Sequence, residues 1–171
     1  YGVQFAKGEF ILILNNDTTH EPNWIKYLIE KLKSDKSISS VQPKVLNYYN
    51  KNCFDYAGSS GGFIDKYCFP FSRGRIFSTI EEDHGQYDES CQIFWASGTA
   101  FLTRREIYNK IGGFDETLFA HMEEIDFHWK CQLIGYEIWV EPLSVIYHKG
   151  GATLPYTSPQ KTYLNYRNSL I

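Results

Sequence analysis

The chain has 171 residues, 43% of them hydrophobic and 22% charged, enough for one domain with a sizeable core and too apolar for a disordered segment. Its 17 basic and 20 acidic residues leave a net charge of −3 with no basic stripe, so no nucleic-acid partner is expected. The longest apolar runs, such as Phe10 to Leu14, are far too short to span a bilayer, and no basic-then-apolar signal segment opens the chain.

The chain enters at Tyr1-Gly2-Val3 without an initiator methionine, and Thr162 to Ile171 resembles a helix cut short, so the sequence reads as a piece of a longer protein. Glu9 to Leu14 carries a continuous apolar run, the pattern of a strand buried on both faces of a parallel sheet. Asn15, Asn16 and Asp17 sit at its carboxyl end, where open α/β sheets bind ligands. A helix follows, with Pro22 in its first turn and Ile25, Leu28, Ile29 and Leu32 on one face. Val41 to Leu46 predicts a second, shorter strand, placed at an edge or bend by Pro43.

Residues 47–92 are irregular, broken by Gly58, Gly61, Gly62, Pro70 and Gly74, and carry an acidic stretch from Ile76 to Glu89 with the character of a mobile surface loop. Ile93 to Leu102 predicts a strand, in which Gly98 marks a close approach by a ligand or backbone. Arg104 to Ile111 predicts a short helix, capped by Gly112-Gly113. His121 to Ile134 predicts another, ended by Gly135, and Glu137 to Val140 and Val145 to His148 read as strands. Cys53, Cys68, Cys91 and Cys131 lack any Cys-x-x-Cys spacing, which argues against structural zinc and for reduced thiols in a cytosolic compartment.

Three places carry candidate chemistry. Asp17, just past a strand, either caps the next turn or offers a hard oxygen to a cation bridging a diphosphate. Between Asp115 and Asp126, five carboxylates lie beside a double glycine. The helix dipole alone accommodates acids in a first turn. On the helix, however, Met122, Ile125, Trp129 and Leu133 form the apolar face, and Glu124 points away from it, free to face a cleft. Asp126 lies on the border and is assigned to local hydrogen bonds, Glu123 lies between the two, and Glu124 is taken as the reacting carboxylate. His148 ends a strand as either a polar terminus or a ligand for a Mn²⁺-like ion, and Gly150-Gly151 let the backbone come close to that ligand. Trp95, Tyr56, Phe63, Tyr67, Phe69 and Phe71 could stack on sugar rings, though core packing suits most of them better, and Arg104, Arg105 and Arg167 read as solvated residues that could also bind phosphate. No phosphate loop or nucleophile elbow occurs, and no spacing supports a hydrolase built on Ser97 and His148.

Taken in order, Gly8 to Asp17, Trp95 to Ala100, Gly112-Gly113-Phe114-Asp115-Glu116, Glu123-Glu124-Ile125-Asp126 and His148 resemble the family 2 glycosyltransferases over nearly the whole chain. Phe119 to Asp126 is similar to bacterial members that build surface glycans. The resemblance implies an α/β fold, a partial GT-A, Rossmann-like sandwich with a mixed central sheet, forming one domain over 1–171. It implies inverting transfer from a nucleotide-diphosphate sugar to a hydroxyl of a glycan or lipid-linked acceptor in surface polysaccharide synthesis. Asp17 and His148 would hold Mn²⁺ or Mg²⁺, and Asn15, Asn16 and Gly150 would meet the donor diphosphate. Glu124 would be the general base, with Trp95, Ser97, Gly98, Asp115 and Glu123 toward the acceptor or sugar. The family more often has Asp where Glu124 stands, and Asn15 replaces the first acid of the Asp-x-Asp motif. Its nucleotide-binding strands would precede Tyr1, so this stretch alone is expected to be weak or inactive. The whole protein is expected in the cytoplasm at the inner face of the membrane, with any membrane contact made outside this stretch. The alternatives are a non-catalytic carbohydrate-binding module on the same fold and, more weakly, a nucleotidyltransferase, which would need basic residues at a triphosphate.

Overall fold

The computed structural model describes residues 2–150 and 159–169. After a 3₁₀ turn at Gly2–Phe5 come β1 (Phe10–Leu14), β2 (Thr18–His20), α1 (Trp24–Ser34) and β3 (Ile38–Asn47). The middle of the chain forms β4 (Gly62–Ile64), β5 (Pro70–Ser72), β6 (Arg75–Ile76), β7 (Thr79–Ile80), β8 (Cys91–Ile93) and β9 (Ala100–Arg104). It closes with α2 (Arg105–Ile111), α3 (Glu123–Leu133), β10 (Glu137–His148) and α4 (Pro159–Asn168).

The central sheet has the order β1-β9-β3-β10-β2, with β8 also paired to β10. β3 and β10 are parallel, while β9 runs antiparallel to both β1 and β3. Hence β1, β3 and β10 point the same way, and their carboxyl ends share one rim with the start of β9. The sheet is mixed, as the sequence resemblance implies. β1 is not an inner strand of a parallel sheet; it stands at one end of the sheet, antiparallel to β9, with only Ile11 fully buried. β3 is longer than predicted and central, buried along nearly its whole length. Pro43 fits there because β9 pairs β3 only at Ser40 and Val41, and β10 is irregular opposite it between Glu141 and Val145. The polar residues of β3 find partners inside: Ser40 donates to the Thr103 hydroxyl, which donates to Ser39 O.

Helices cover both faces. α1 buries Trp24, Leu28 and Leu32 against Val41, Val45, Leu102 and Ile146, on an i, i+4, i+8 stripe that leaves Ile25 largely outside. Phe127 and Cys131 of α3 and Ile107 of α2 pack on the other face against Phe101, Ile138 and Val140. Arg104 is not a solvated helix start. It is buried, and its guanidinium donates to Leu32 O, Asp35 O and Ile38 O, tying the end of α1 to β3.

Within 47–92, β4–β5 and β6–β7 form two small hairpins. The acidic stretch is tied down by Lys44, a buried lysine of β3 that pairs with Asp83 at 2.8 Å and with Asp88. The predicted strand over 93–102 is interrupted: β8 ends at Ile93, a turn occupies 94–99, and β9 starts at Ala100. All four cysteines are free thiols, and no described helix is long and apolar enough to cross a membrane.

Candidate active site

The rim formed by β1, β3, β10 and the start of β9 gathers most of the predicted residues. β2 pairs antiparallel with the end of β10, setting Thr18 opposite His148, and Lys149 N–H donates to Asp17 O. Asp17 Oδ1 therefore lies 3.2 Å from His148 Nε2. The other imidazole nitrogen, Nδ1, is 3.1 Å from Asp55 Oδ2. Asp55 is 2% exposed and comes from the irregular segment after β3. Burial pushes the His148 imidazole down, but the hydrogen bond to Asp55 and the charges of Asp55 and Asp17 outweigh it, so its pKa lies above the ordinary histidine value.

The geometry suits a small divalent cation. Neighbouring ligands on an octahedral ion with bonds of about 2.1 Å lie about 3 Å apart, close to the Asp17–His148 separation. Asp55 occupies Nδ1 and leaves Nε2 for a ligand, the usual outer-shell arrangement for a metal-binding histidine. Among the described residues no group of three or more His, Cys, Asp or Glu is arranged to hold a metal, so further ligands would come from a bound diphosphate and water.

Asn15 and Asn16 are exposed beside this pair. Asn15 N–H donates to Thr99 O at 2.9 Å, joining the Asn15–Asp17 turn to the 94–99 turn. Gly150 follows His148 with φ 63, a left-handed conformation that favours glycine. Gly151 lies outside the described residues.

The 94–99 turn is held from below. Gln42, fully buried in β3, accepts from Ser97 N–H at 2.8 Å and donates to Gly58 O at 3.1 Å. Ser97 is buried, and its hydroxyl donates to Ala57 O, two residues from Asp55. Trp95 is buried too; its ring covers Gly62, where a Cβ would collide with it, and its Nε1 donates to Phe63 O. These contacts correct the sugar-facing assignment of Trp95 and Ser97: both side chains are spent on holding the turn. Tyr67, Phe69 and Phe71 are exposed rather than packed in the core.

Gly98 is the point of the turn beside Glu124. A Cβ on it would lie 3.7 Å from the Glu124 carboxylate, so the close approach anticipated there is made by a side chain of the protein itself. His128, one turn along α3, fastens helix to turn. Its Nδ1 is 2.6 Å from Glu124 O and 3.3 Å from Ala96 N, and burial depresses its pKa to about 3, so it is neutral.

Glu124 faces inward. The helix packs through Phe127, His128 and Cys131, while Met122, Ile125 and Trp129, the expected core face, line an open groove of about 520 Å³ and Leu133 is 74% exposed. Glu124 does stand opposite that apolar stripe, but the core lies on its own side. Its Oε2 is buried without a partner, as is Oε2 of Glu123. Burial raises the Glu124 pKa to about 7, Glu123 adds repulsion, and the backbone amides of Glu124 and Gly98 pull the other way. Burial raises Glu123 as well. Asp126 pairs with Lys130 at 2.7 Å, the local role expected of it. Asp115 is an exposed turn acceptor for the Thr117 amide and hydroxyl, and it borders the groove on the outer side of α3.

The residues that sequence reasoning missed are Asp55 and Gln42. Asp55 has one local signal, a carboxylate wedged between Phe54 and Tyr56; Gln42 has none beyond a polar residue in an apolar strand.

Set beside known proteins, residues 1–112 match the profile of Glycosyl transferase family 2. Over 62 residues the chain is 35% identical to the N-acetylglucosaminyl-diphospho-decaprenol L-rhamnosyltransferase of Mycobacterium tuberculosis, in strains CDC 1551 / Oshkosh and ATCC 25618 / H37Rv. That stretch is 36% of this chain and 20% of the relative, so the match spans a fifth of the curated relatives' length. The crystal structure of GalNAc-T7 with UDP, GalNAc and Mn²⁺ shares the fold, with a TM-score of 0.66 over 92% of this chain and 30% of that one, at 18% identity.

Proposed function

The chain belongs to glycosyl transferase family 2, and from that premise we propose that it carries the catalytic side of a metal-dependent, inverting glycosyltransferase. The observation behind this reading is Glu124, a carboxylate half enclosed beside Gly98, with an unpartnered oxygen and a pKa of about 7. A base is most useful when its pKa lies near the working pH.

In the proposed reaction an acceptor hydroxyl attacks the anomeric carbon from the face opposite the diphosphate. The new carbon–oxygen bond forms as the carbon–diphosphate bond breaks, and the hydroxyl proton passes to Glu124. Asp17 and His148 would hold Mn²⁺ or Mg²⁺, which when bound offsets charge gathering on the leaving diphosphate. Asp55 keeps His148 oriented with Nε2 outward. Asn15, Asn16 and Gly150 border the space for the diphosphate, and Glu123 and Gly98 border that for the acceptor. Gly98 leaves room beside the base and turns a backbone amide to it.

The mycobacterial relatives are named for an N-acetylglucosaminyl-diphospho-decaprenol acceptor. The same chemical class, a lipid-linked glycan used in surface polysaccharide synthesis on the cytoplasmic side of the membrane, is proposed here.

The test is thermal denaturation of the full-length protein with UDP, GDP or dTDP, each with and without Mn²⁺, alongside Asp17→Ala. A ligand that binds only the folded state raises its apparent stability. One nucleotide should stabilise only with Mn²⁺ and lose that effect in Asp17→Ala. If no nucleotide shifts the melt with or without the ion, the transferase reading gives way to a carbohydrate-binding module.

A further inference from the structure

We propose that Arg167 and Asn168, at the carboxyl end of α4, are positioning residues that clamp the Leu118–Met122 loop and so fix where the Glu123 and Glu124 carboxylates sit. The value of that placement rests on the reading of Glu124 as the base.

The loop needs outside support. Phe119, His121 and Met122 have φ of 62, 68 and 73, left-handed values that residues with side chains seldom hold unaided. Met122 is also the residue that opens α3, and no side chain caps the helix there. Glu123 and Glu124 each keep an Oε2 without a partner. What holds these carboxylates is backbone, the amides of Glu123 and Glu124 at the helix start and that of Gly98 in the turn, so their position depends on where the loop sets the start of α3.

That backbone is gripped from almost fifty residues away. Asn168 is 6% exposed, and its Nδ2 lies 2.9 Å from Leu118 O, 2.9 Å from Ala120 O and 2.6 Å from His121 O. Arg167 Nη2 adds bonds to Leu118 O at 2.8 Å and Thr117 O at 3.1 Å. Arg167 Nε donates to Asn168 Oδ1 at 2.8 Å, so the two side chains brace each other. Three carbonyls of the strained loop, and that of Thr117 just before it, are thus bonded by two adjacent residues of another element. A solvated arginine at a helix end, or one reserved for phosphate, would not be spent this way.

The test uses the full-length protein. Asn168→Asp keeps the oxygen that accepts from Arg167 but turns a second oxygen toward the three carbonyls; Asn168→Ala only removes the donor. Hydrogen exchange is read over 117–126, where the Leu118, Ala120 and Asp126 amides are bonded to Asp115 O, Leu118 O and Met122 O. Glutamate carboxyl carbons, labelled with ¹³C, read the environment of Glu124, which faces Glu123 and neutral His128 from its own helix and the Gly98 amide from the turn. Asn168→Asp should speed exchange over 117–126 by about tenfold or more, and Asn168→Ala by less, with β3 and β10 unchanged. The Glu124 titration should fall back toward the ordinary carboxylate range as water enters. Unchanged exchange over 117–126, an equal rise through β3 and β10, or a Glu124 titration that stays put while the loop opens would each overturn the proposal. If Asn168→Asp does not fold, Arg167→Ala, which removes the bonds to Thr117 and Leu118, carries the same expectations on a smaller scale. None of these readouts needs sugar transfer. Full activity in Glu124→Gln would therefore sink the base assignment and leave the clamp standing.

Discussion

Glu124 keeps its proton to about pH 7 because burial leaves its carboxylate little water and Glu123 adds repulsion, which together outweigh the pull of two backbone amides. A general base must be deprotonated to act, so kcat should rise with pH through about 7 and level off above it. Glu124→Gln should lower transfer by about 10²–10⁴-fold, the usual contribution of such a base, while nucleotide binding persists. A steady-state comparison of the two proteins decides this, and a variant within a few-fold of the parent would exclude Glu124. Asp55 acts one step further out. Asp55→Ala should weaken Mn²⁺ binding by about 10–100-fold, read by titration calorimetry, because His148 loses the partner that fixes its ring. Equal affinity would remove Asp55 from the site. The sequence points to Asp17 and His148 because each ends an apolar run, and strand ends are where such sheets bind ligands. Asp55 and Asn168 lie in no periodic pattern near a motif; their roles come from contacts 93 and about 50 residues away in the chain.

Among the elements, α3 shows what helical spacing can and cannot tell. Angles around a helix follow from sequence, so Glu124 stands opposite Met122, Ile125 and Trp129 as anticipated. Which side is covered depends on neighbours, and here Phe101, Phe114 and Tyr108 meet Phe127 on the side away from the expected apolar face. β1 at the end of the sheet and β3 at its centre differ from the sequence expectation for a related reason. An apolar run records burial but not which strands lie alongside, and Pro43 is excluded from a centre only where a neighbour needs its N–H. Lys44 offers a test of how the acidic stretch is held. It is a buried cation facing Asp83 and Asp88, and removing one member of a buried pair leaves an uncompensated charge. Lys44→Ala should cost about 3 kcal/mol in denaturant unfolding and expose 76–90 to proteases. Asp88→Ala, at the exposed end of the trio, should cost less than about 1 kcal/mol. Equal losses would mean that Asp83 is not the anchor.

For the molecule as a whole, the same carboxylate that serves chemistry opposes folding. The folded-state pKa of Glu124 is raised from 4.5 to about 7, so between those values the native state holds a proton that the unfolded chain has released. Its contribution to stability is therefore greatest at low pH and falls as pH rises through that window. Glu124→Gln escapes the penalty. Its melting temperature should exceed the parent's by more at about pH 8 than at about pH 5, and a gap that stays constant with pH would refute the coupling. Sheet class and mixed strand direction were readable at this scale because the family resemblance runs through ordered motifs. The α4 clamp was not, since it joins the chain's last described helix to a loop with no motif of its own. One further property follows from β1 standing at the end of the sheet. The outer side of β1 pairs with no other described strand, and unpaired donors and acceptors along an apolar strand are a template for zipping on another. Any polypeptide that docks there comes within one strand spacing, about 4.8 Å, of the strand that delivers Asn15 and Asp17. This open edge and the reactive corner are therefore neighbours, and whatever seals the first will also shape access to the second.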